Sequence, residues 1–458
     1  MQSSSGQAHE LRDVAQPNLL REIFPYDAVP RIVFDGALEP LDPAPEFYIT
    51  DTTFRDGQQA RPPYTVRQIA DLYAMLHRLG GPNGVIRQCE FFLYTSVDRQ
   101  ALQRCLATGY RFPEVTGWIR PVKSDLRLVK EMGLAETGIL TSCSDYHIFH
   151  KLKKTRREAF DDYLGLAQAA LDLGLRIRCH LEDATRADFY GFVAPFVSRL
   201  MELGGASGRP IKIRVCDTLG FGVPFPCVAL PRSVPKLITA LRRDCGVPPE
   251  CLEWHGHNDF HKVLANATAA WLYGCMYANG TLLGFGERTG NPPLEGLLID
   301  YVSLKGDING VDLPVITEIA RYFEREIGYR IPPTYPFVGS DFNITRAGIH
   351  ADGLLKDEEI YNIFDTAKLL GRPPRVAIDK TSGSAGIAWW INDYFKLSRD
   401  RQVNKHSPAV GQIAQWIDAQ YRDGRTTSIS DPEMLTQVRE HLPHLCEERA
   451  TEPAAAEG

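Results

Sequence analysis

Two histidines and a nearby carboxylate carry the first chemical signal in this chain. Trp254 to Phe260 reads WHGHNDF, and on an extended segment His255 and His257 stand two apart and therefore point to one face. Two imidazoles on one face can share a divalent cation, and one carboxylate would leave open positions for a chelating substrate. Asp56 offers that carboxylate in YITDTTFRDGQQ, Tyr48 to Gln59, beside the positive charge of Arg55. Alone, an HxH or an RDG turn is most often incidental, since surface ion pairs are common and weak. Three further segments add polar groups: Glu182 in CHLEDATR, Asp217 and Thr218 in VCDTLG, and Glu287, Arg288 and Asn291 in GFGERTGN.

The elements around these residues decide whether they meet. Phe47, Tyr48 and Ile49 form a β-favouring run before the RDG turn. Further strands are expected at Val85 to Phe92, Glu114 to Ile119, Glu136 to Thr141, Leu175 to Glu182, Ile211 to Cys216, Leu252 to His257 and Gly280 to Leu283. Amphipathic helices alternate with them, the last starting near Leu294. Eight such units in about 255 residues are the inventory of a (β/α)8 TIM barrel, although a doubly wound open sheet uses the same alternation. In a barrel, Asp56 and His257 fall at the C-terminal ends of strands one and seven, with only strand eight between them, on the face where TIM-barrel sites lie. The expected organisation is an N-terminal arm over 1–45, the barrel over 46–305, a mostly helical C-terminal region over 306–445 and a disordered acidic tail over 446–458.

Composition narrows the class. A chain of 458 residues with 44% hydrophobic and 24% charged residues is an ordinary globular protein. Its net charge of −6 provides no basic footprint for nucleic acid. No apolar run reaches membrane-spanning length, and the polar start MQSSSGQAHELRD lacks the pattern of a signal peptide. Ten cysteines without a CxxC pair read as reduced thiols of a cytoplasmic enzyme.

DTTFRDGQQ, HLEDATR, CDTLG, HGHND, GFGERTGNPPLEG and AGIHADGLLK, in that order, resemble the DRE-TIM metallolyase superfamily, in the branch of 2-isopropylmalate, homocitrate and Re-type citrate synthases. The resemblance spans about Phe47 to Phe395. It implies a metal-dependent Claisen condensation of acetyl-CoA with a 2-oxo acid, followed by thioester hydrolysis. It also implies metal ligands at Asp56, His255 and His257, for Mn, Mg, Co or Zn, with Asn291 supporting them. Arg55 would polarise the ketone, Glu182 would join the proton-transfer network and Thr218 would contact the oxo acid carboxylate, with Gln59 also on the substrate side. His350 and Tyr361 would complete the site from a partner subunit, so a homodimer is implied. The turn GFGERTGN has no cysteine, unlike the hydroxymethylglutaryl-CoA lyase branch, and the biotin-dependent domains of carboxyltransferases are absent from this sequence.

The departures from the leucine-pathway pattern bear on the substrate. IRQCEFFLY replaces an IEAGFP-like turn, and Arg87, Arg120 and His147 offer groups for a second anion. DFNITRAGIHADGLLKDEEIYNIFDT and RVAIDKTSGSAGIAWWIN look similar to Re-type citrate synthases and to 2-phosphinomethylmalate or 2-phosphonomethylmalate synthases. Oxaloacetate, phosphinopyruvate and phosphonopyruvate all carry an anionic arm. The excess of Arg over Lys leans toward the phosphorus substrates, with Re-type citrate synthase as the alternative.

Overall fold

The computed structural model describes residues 9–451; the first eight residues, and residues 452–458 of the expected disordered tail, lie outside the described residues. The chain divides into two compact units, Met1–Asp312 and Leu313–Gly458.

Eight parallel strands close the first unit into a barrel: β1 Tyr48–Asp51, β2 Ile86–Phe91, β3 Glu114–Ile119, β4 Glu136–Ser142, β5 Arg176–Glu182, β6 Lys212–Asp217, β7 Leu252–Gly256 and β8 Tyr277–Gly280. The ring is completed between β8 and β1, where Asp51 stands opposite Gly280. Local chemistry starts the helices sharply. Thr65, Thr95 and Thr155 each cap a helix: the Thr hydroxyl oxygen accepts from the backbone N–H of the third residue inside, and that residue's side-chain oxygen accepts from the Thr backbone N–H. The helix Val66–Gly80 then buries Ile69, Leu72, Tyr73 and Leu76, and stops at Gly81, whose φ is 67°.

β8 corrects the expected register. The strand is Tyr277–Gly280, and Leu282–Gly284 forms a short 3-10 turn, with Leu283 at φ 55°. The apolar pair Leu282-Leu283 suggested a strand, but both side chains are buried in the turn beyond it.

The barrel interior is charged where barrels are ordinarily filled by branched apolar residues. Glu90, Glu136 and Glu253 are buried there among Arg178, Lys212 and Arg214. Space is tight at Gly138 on β4, where a Cβ would lie 2.4 Å from His180 Nε2.

The N-terminal arm lies on the loops that follow the strands. Ile23 and Phe24 bury themselves against Phe221, beyond β6, and Tyr146 beyond β4 donates its hydroxyl to Leu19 O. In the second unit, helices at Gly348–Lys356, Gly383–Tyr394, Pro408–Arg422 and Asp431–His441 share a core around Trp390, Ile391 and Met434, beside a two-stranded pair, Ile344–Thr345 with Arg375–Val376. The ten cysteines are free thiols, eight of them buried. Among the described residues, no helix is long and apolar enough to cross a membrane.

Candidate active site

Strand ends place the central constellation. β7 delivers His255 and, one step past its end, His257; the short helix Asp56–Gln59 after β1 delivers Asp56. Nε2 of His257 lies 3.1 Å and Nε2 of His255 3.9 Å from Asp56 Oδ2, with the two rings perpendicular. One ligand atom from each of the three residues falls within 4.8 Å of the others, and all three residues are buried. Packing alone does not account for such a cluster. Among the described residues, His257 Nδ1 and Asn291 Oδ1 are buried without a hydrogen-bond partner, and this is capacity that a cation with its bound waters would take up.

The electrostatics favour ligands in their binding forms. Burial, helped by Arg55 and Arg214, holds His255 well below the usual imidazole range, so its ring is neutral. Burial pushes the Asp56 acid up, but Arg55 and the two imidazoles outweigh it and keep the carboxylate ionised. Asn279 Oδ1 sits 2.8 Å from His255 Nδ1, and Asn279 Nδ2 donates to Thr50 O and Oγ1. The amide thus presents oxygen to the ring, fixes the proton on Nδ1 and turns the Nε2 lone pair toward Asp56. Asn291 Nδ2 donates to Asp56 Oδ2 at 2.7 Å.

Arg55 is buried between two carboxylates, with Nη1 3.0 Å from Asp56 and Nε 2.8 Å from Glu90. Glu90 also receives Arg178 and Arg214, at 2.7 and 2.9 Å. Arg55 is consequently rigid before any substrate arrives.

A second cluster follows β4 and β5. Glu182 accepts from Ser142 and lies 3.0 Å from His147 Nδ1; Lys151 Nζ reaches both its oxygens, at 3.0 and 2.8 Å. Burial raises the Glu182 acid, but His147 and Lys151 more than offset it and bring it down to about 2. Thr218 Oγ1 accepts from Asp183 N, which leaves its O–H to donate. Asp183 adopts the left-handed region, φ 67° and ψ 35°, directly after Glu182.

Other expected residues fall elsewhere. Arg87 is the second residue of β2, at the N-terminal mouth of the barrel, away from the strand ends that carry the site. Its guanidinium stacks on Tyr48 and Phe112, at 3.8 and 4.5 Å, and donates to Asn83 O. Its expected place in a second-anion pocket is corrected, because a residue entering a parallel strand lies at the opposite end from its exit. Arg120 is at the catalytic rim, but Nε and Nη2 both bind Asp125. Gln59 is exposed, while Gln58 turns inward and bonds Phe54 O and Tyr64 N. Asp217 is fully buried and accepts from Gly222 N and Thr185, and Arg288 is bound to Asp259. His350 and Tyr361 belong to the second unit, where their rings meet at 4.4 Å.

Sequence reasoning passed over Glu90, Asn279 and Lys151. The signal for Glu90 was present, since Gln88-x-Glu90, Arg178-x-His180-x-Glu182 and Glu253-x-His255-x-His257 repeat polar residues with the period of one strand face. Lys151 stands four after His147, on one face of a helical turn. Asn279 was hidden by the misplaced eighth strand.

Residues 46–322 match the HMGL-like family model, and the chain belongs to that family, the DRE-TIM group. It is a metal-dependent acyltransferase in class. It is similar to a citrate (Re)-synthase of Syntrophus aciditrophicus, 60% identical over 95% of this chain and 69% of that one. A citrate (Re)-synthase of Clostridium kluyveri is 56% identical over 96% and 97%. A 2-phosphinomethylmalate synthase of Streptomyces hygroscopicus is 39% identical over 92% and 95%. A hydroxymethylglutaryl-CoA lyase structure from Pseudomonas aeruginosa shares the fold, with a TM-score of 0.50 and 19% identity over 63% of this chain and 95% of that one.

Proposed function

We propose that this chain condenses acetyl-CoA with oxaloacetate to form citrate and free CoA. The observation that carries the reaction type is the Asp56, His255 and His257 cluster at the barrel's C-terminal mouth, with Arg55 fixed beside it. The choice of oxo acid follows the relatives, since identity of 60% and 56% to citrate (Re)-synthases outweighs 39% to the phosphinomethylmalate synthase. The lean toward phosphorus substrates drawn from Arg usage gives way to that comparison.

Asp56, His255 and His257 would hold a divalent cation, Mn, Mg, Co or Zn, which supplies Lewis-acid polarisation of the oxo acid when bound. Arg55 provides a buried, preorganised charge for the alkoxide that develops on the keto oxygen. Thr218 donates to the oxo acid carboxylate. Glu182 belongs to the proton-transfer network that takes a methyl proton from acetyl-CoA, together with His350 and Tyr361 of a second subunit in a homodimer. Water then releases CoA.

The test is thiol release from acetyl-CoA against oxaloacetate, phosphinopyruvate, phosphonopyruvate, 2-oxoglutarate and 2-oxoisovalerate, with the product analysed. Release with oxaloacetate, citrate as product and loss of activity on chelation are expected. Preference for phosphinopyruvate would overturn the substrate, and undiminished activity after complete chelation would overturn the site.

A further inference from the structure

The geometry points to Lys151 as the residue that selects a dianionic oxo acid, by leaving Glu182 for the substrate's distal anion and so freeing the proton acceptor only when such an acid is bound. The inference rests on the proposed condensation and adds to it a substrate-sensing cation.

The two oxygens of Glu182 are held unequally. Oε2 accepts from Ser142 and faces His147 Nδ1 at 3.0 Å, in addition to Lys151. Among the described residues, Oε1 has one partner, Lys151 Nζ at 3.0 Å. While the ammonium bridges both oxygens, Lys151 competes with a carbon acid for Oε1. Removing Lys151 opens Oε1 and leaves Oε2 oriented by Ser142 and His147. The ammonium's charge is also part of what keeps Glu182 a weak base.

Lys151, within 3.2 Å of His147 Nδ1 and of both Glu182 oxygens, lacks the paired-nitrogen grip that holds the neighbouring cations. Arg120 binds Asp125 through two nitrogens, and Arg288 does the same with Asp259. Arg186 binds Asp183 through two nitrogens and stacks on Tyr146 at 3.7 Å. Lys151 is a point charge on a flexible stem, its side chain 46% exposed against 16% for Glu182. A second carboxylate or phosphinate on the oxo acid competes for it with Glu182; a methyl or branched alkyl arm has nothing to offer it.

The proton balance is simple. A methyl proton of acetyl-CoA passes to Glu182 Oε1, the C–H electron pair forms the new carbon–carbon bond to the keto carbon, and the carbonyl π pair becomes the alkoxide facing Arg55.

Two measurements on the metal-loaded full-length Lys151→Met enzyme test this, with circular dichroism to verify its fold. The ratio of kcat/KM for oxaloacetate over pyruvate should fall about 100-fold from wild type, the size expected for one lost charge-assisted contact. In D2O without oxo acid, acetyl-CoA should gain methyl deuterium with Lys151→Met and gain none with wild type. An unchanged ratio, or exchange that still waits for the oxo acid in the variant, overturns the proposal. A wild type that prefers another dianionic oxo acid overturns the assignment of oxaloacetate alone, and the ratio is then read on that acid. A wild type that prefers monoanionic oxo acids overturns both.

Discussion

His255 presents Nε2 toward Asp56 because Asn279 accepts from its other nitrogen, and Asn279 is held in turn by Thr50. Partners of metal-binding histidines typically contribute about 10- to 100-fold in metal affinity. Asn279→Ala should weaken divalent-metal binding by about that factor with the fold intact, as measured by calorimetric titration. His257→Ala should remove binding altogether. At the other mouth, Arg87 contributes through two aromatic rings, and Arg87→Ala should lower stability by about 1 kcal/mol in chemical denaturation while leaving KM for the oxo acid unchanged. A rise in KM specific to dianionic acids would return Arg87 to the substrate pocket.

At the scale of elements, each strand carries its chemistry on alternate residues. β5 supplies Arg178, His180 and Glu182 in a row, the first two inside the barrel and the last at its mouth. That row needs room, which β4 provides with Gly138. Gly138→Ala would set a methyl group 2.4 Å from His180 Nε2 and 3.0 Å from Glu90 Oε1. Both neighbours are fixed by Arg178, so overpacking should destabilise the protein by about 1–3 kcal/mol, seen as a lower denaturation midpoint. Most of the eight strands were legible from short apolar runs, and the helices from their caps. β8 was not, because Tyr277–Gly280 is short and precedes an apolar turn that imitates a strand.

For the whole molecule, the charged barrel interior ties stability to pH. Burial raises the Glu253 acid, but Arg178 and Arg214 more than compensate and hold it near 2, against 4.5 in the open chain. Glu90 and Glu136 are likewise lowered, chiefly by the arginine and lysine groups that overcome their burial. A lowered carboxyl contributes stability that is fully present above its unfolded value and lost as pH falls through its folded one. Acid destabilisation should therefore run from about pH 4.5 down to about 2. Burial works in the opposite sense on Asp51 and Asp217, raising both to about 6, so their share declines as pH rises toward that value. Denaturant titrations at pH 7, 4.5 and 3 should show stability falling steeply over the last interval. A flat response would mean that the buried carboxylates protonate without strain.

The order of motifs along the chain determined the family, pointed to the barrel and singled out the three side chains that meet as a candidate cation site. It could do so because residue type and strand period are local properties, and strand ends in a parallel barrel all emerge on one face. Tertiary structure alone decided which charges are available to a substrate. Arg87 and Arg120 looked free in sequence, yet one stands at the wrong mouth and the other is locked to Asp125, while Lys151 bridges Glu182. Arg120 meets Asp125 only five residues on, but the partners of Arg87 and Lys151 lie on or beside other strands, and the closed barrel brings those groups within contact.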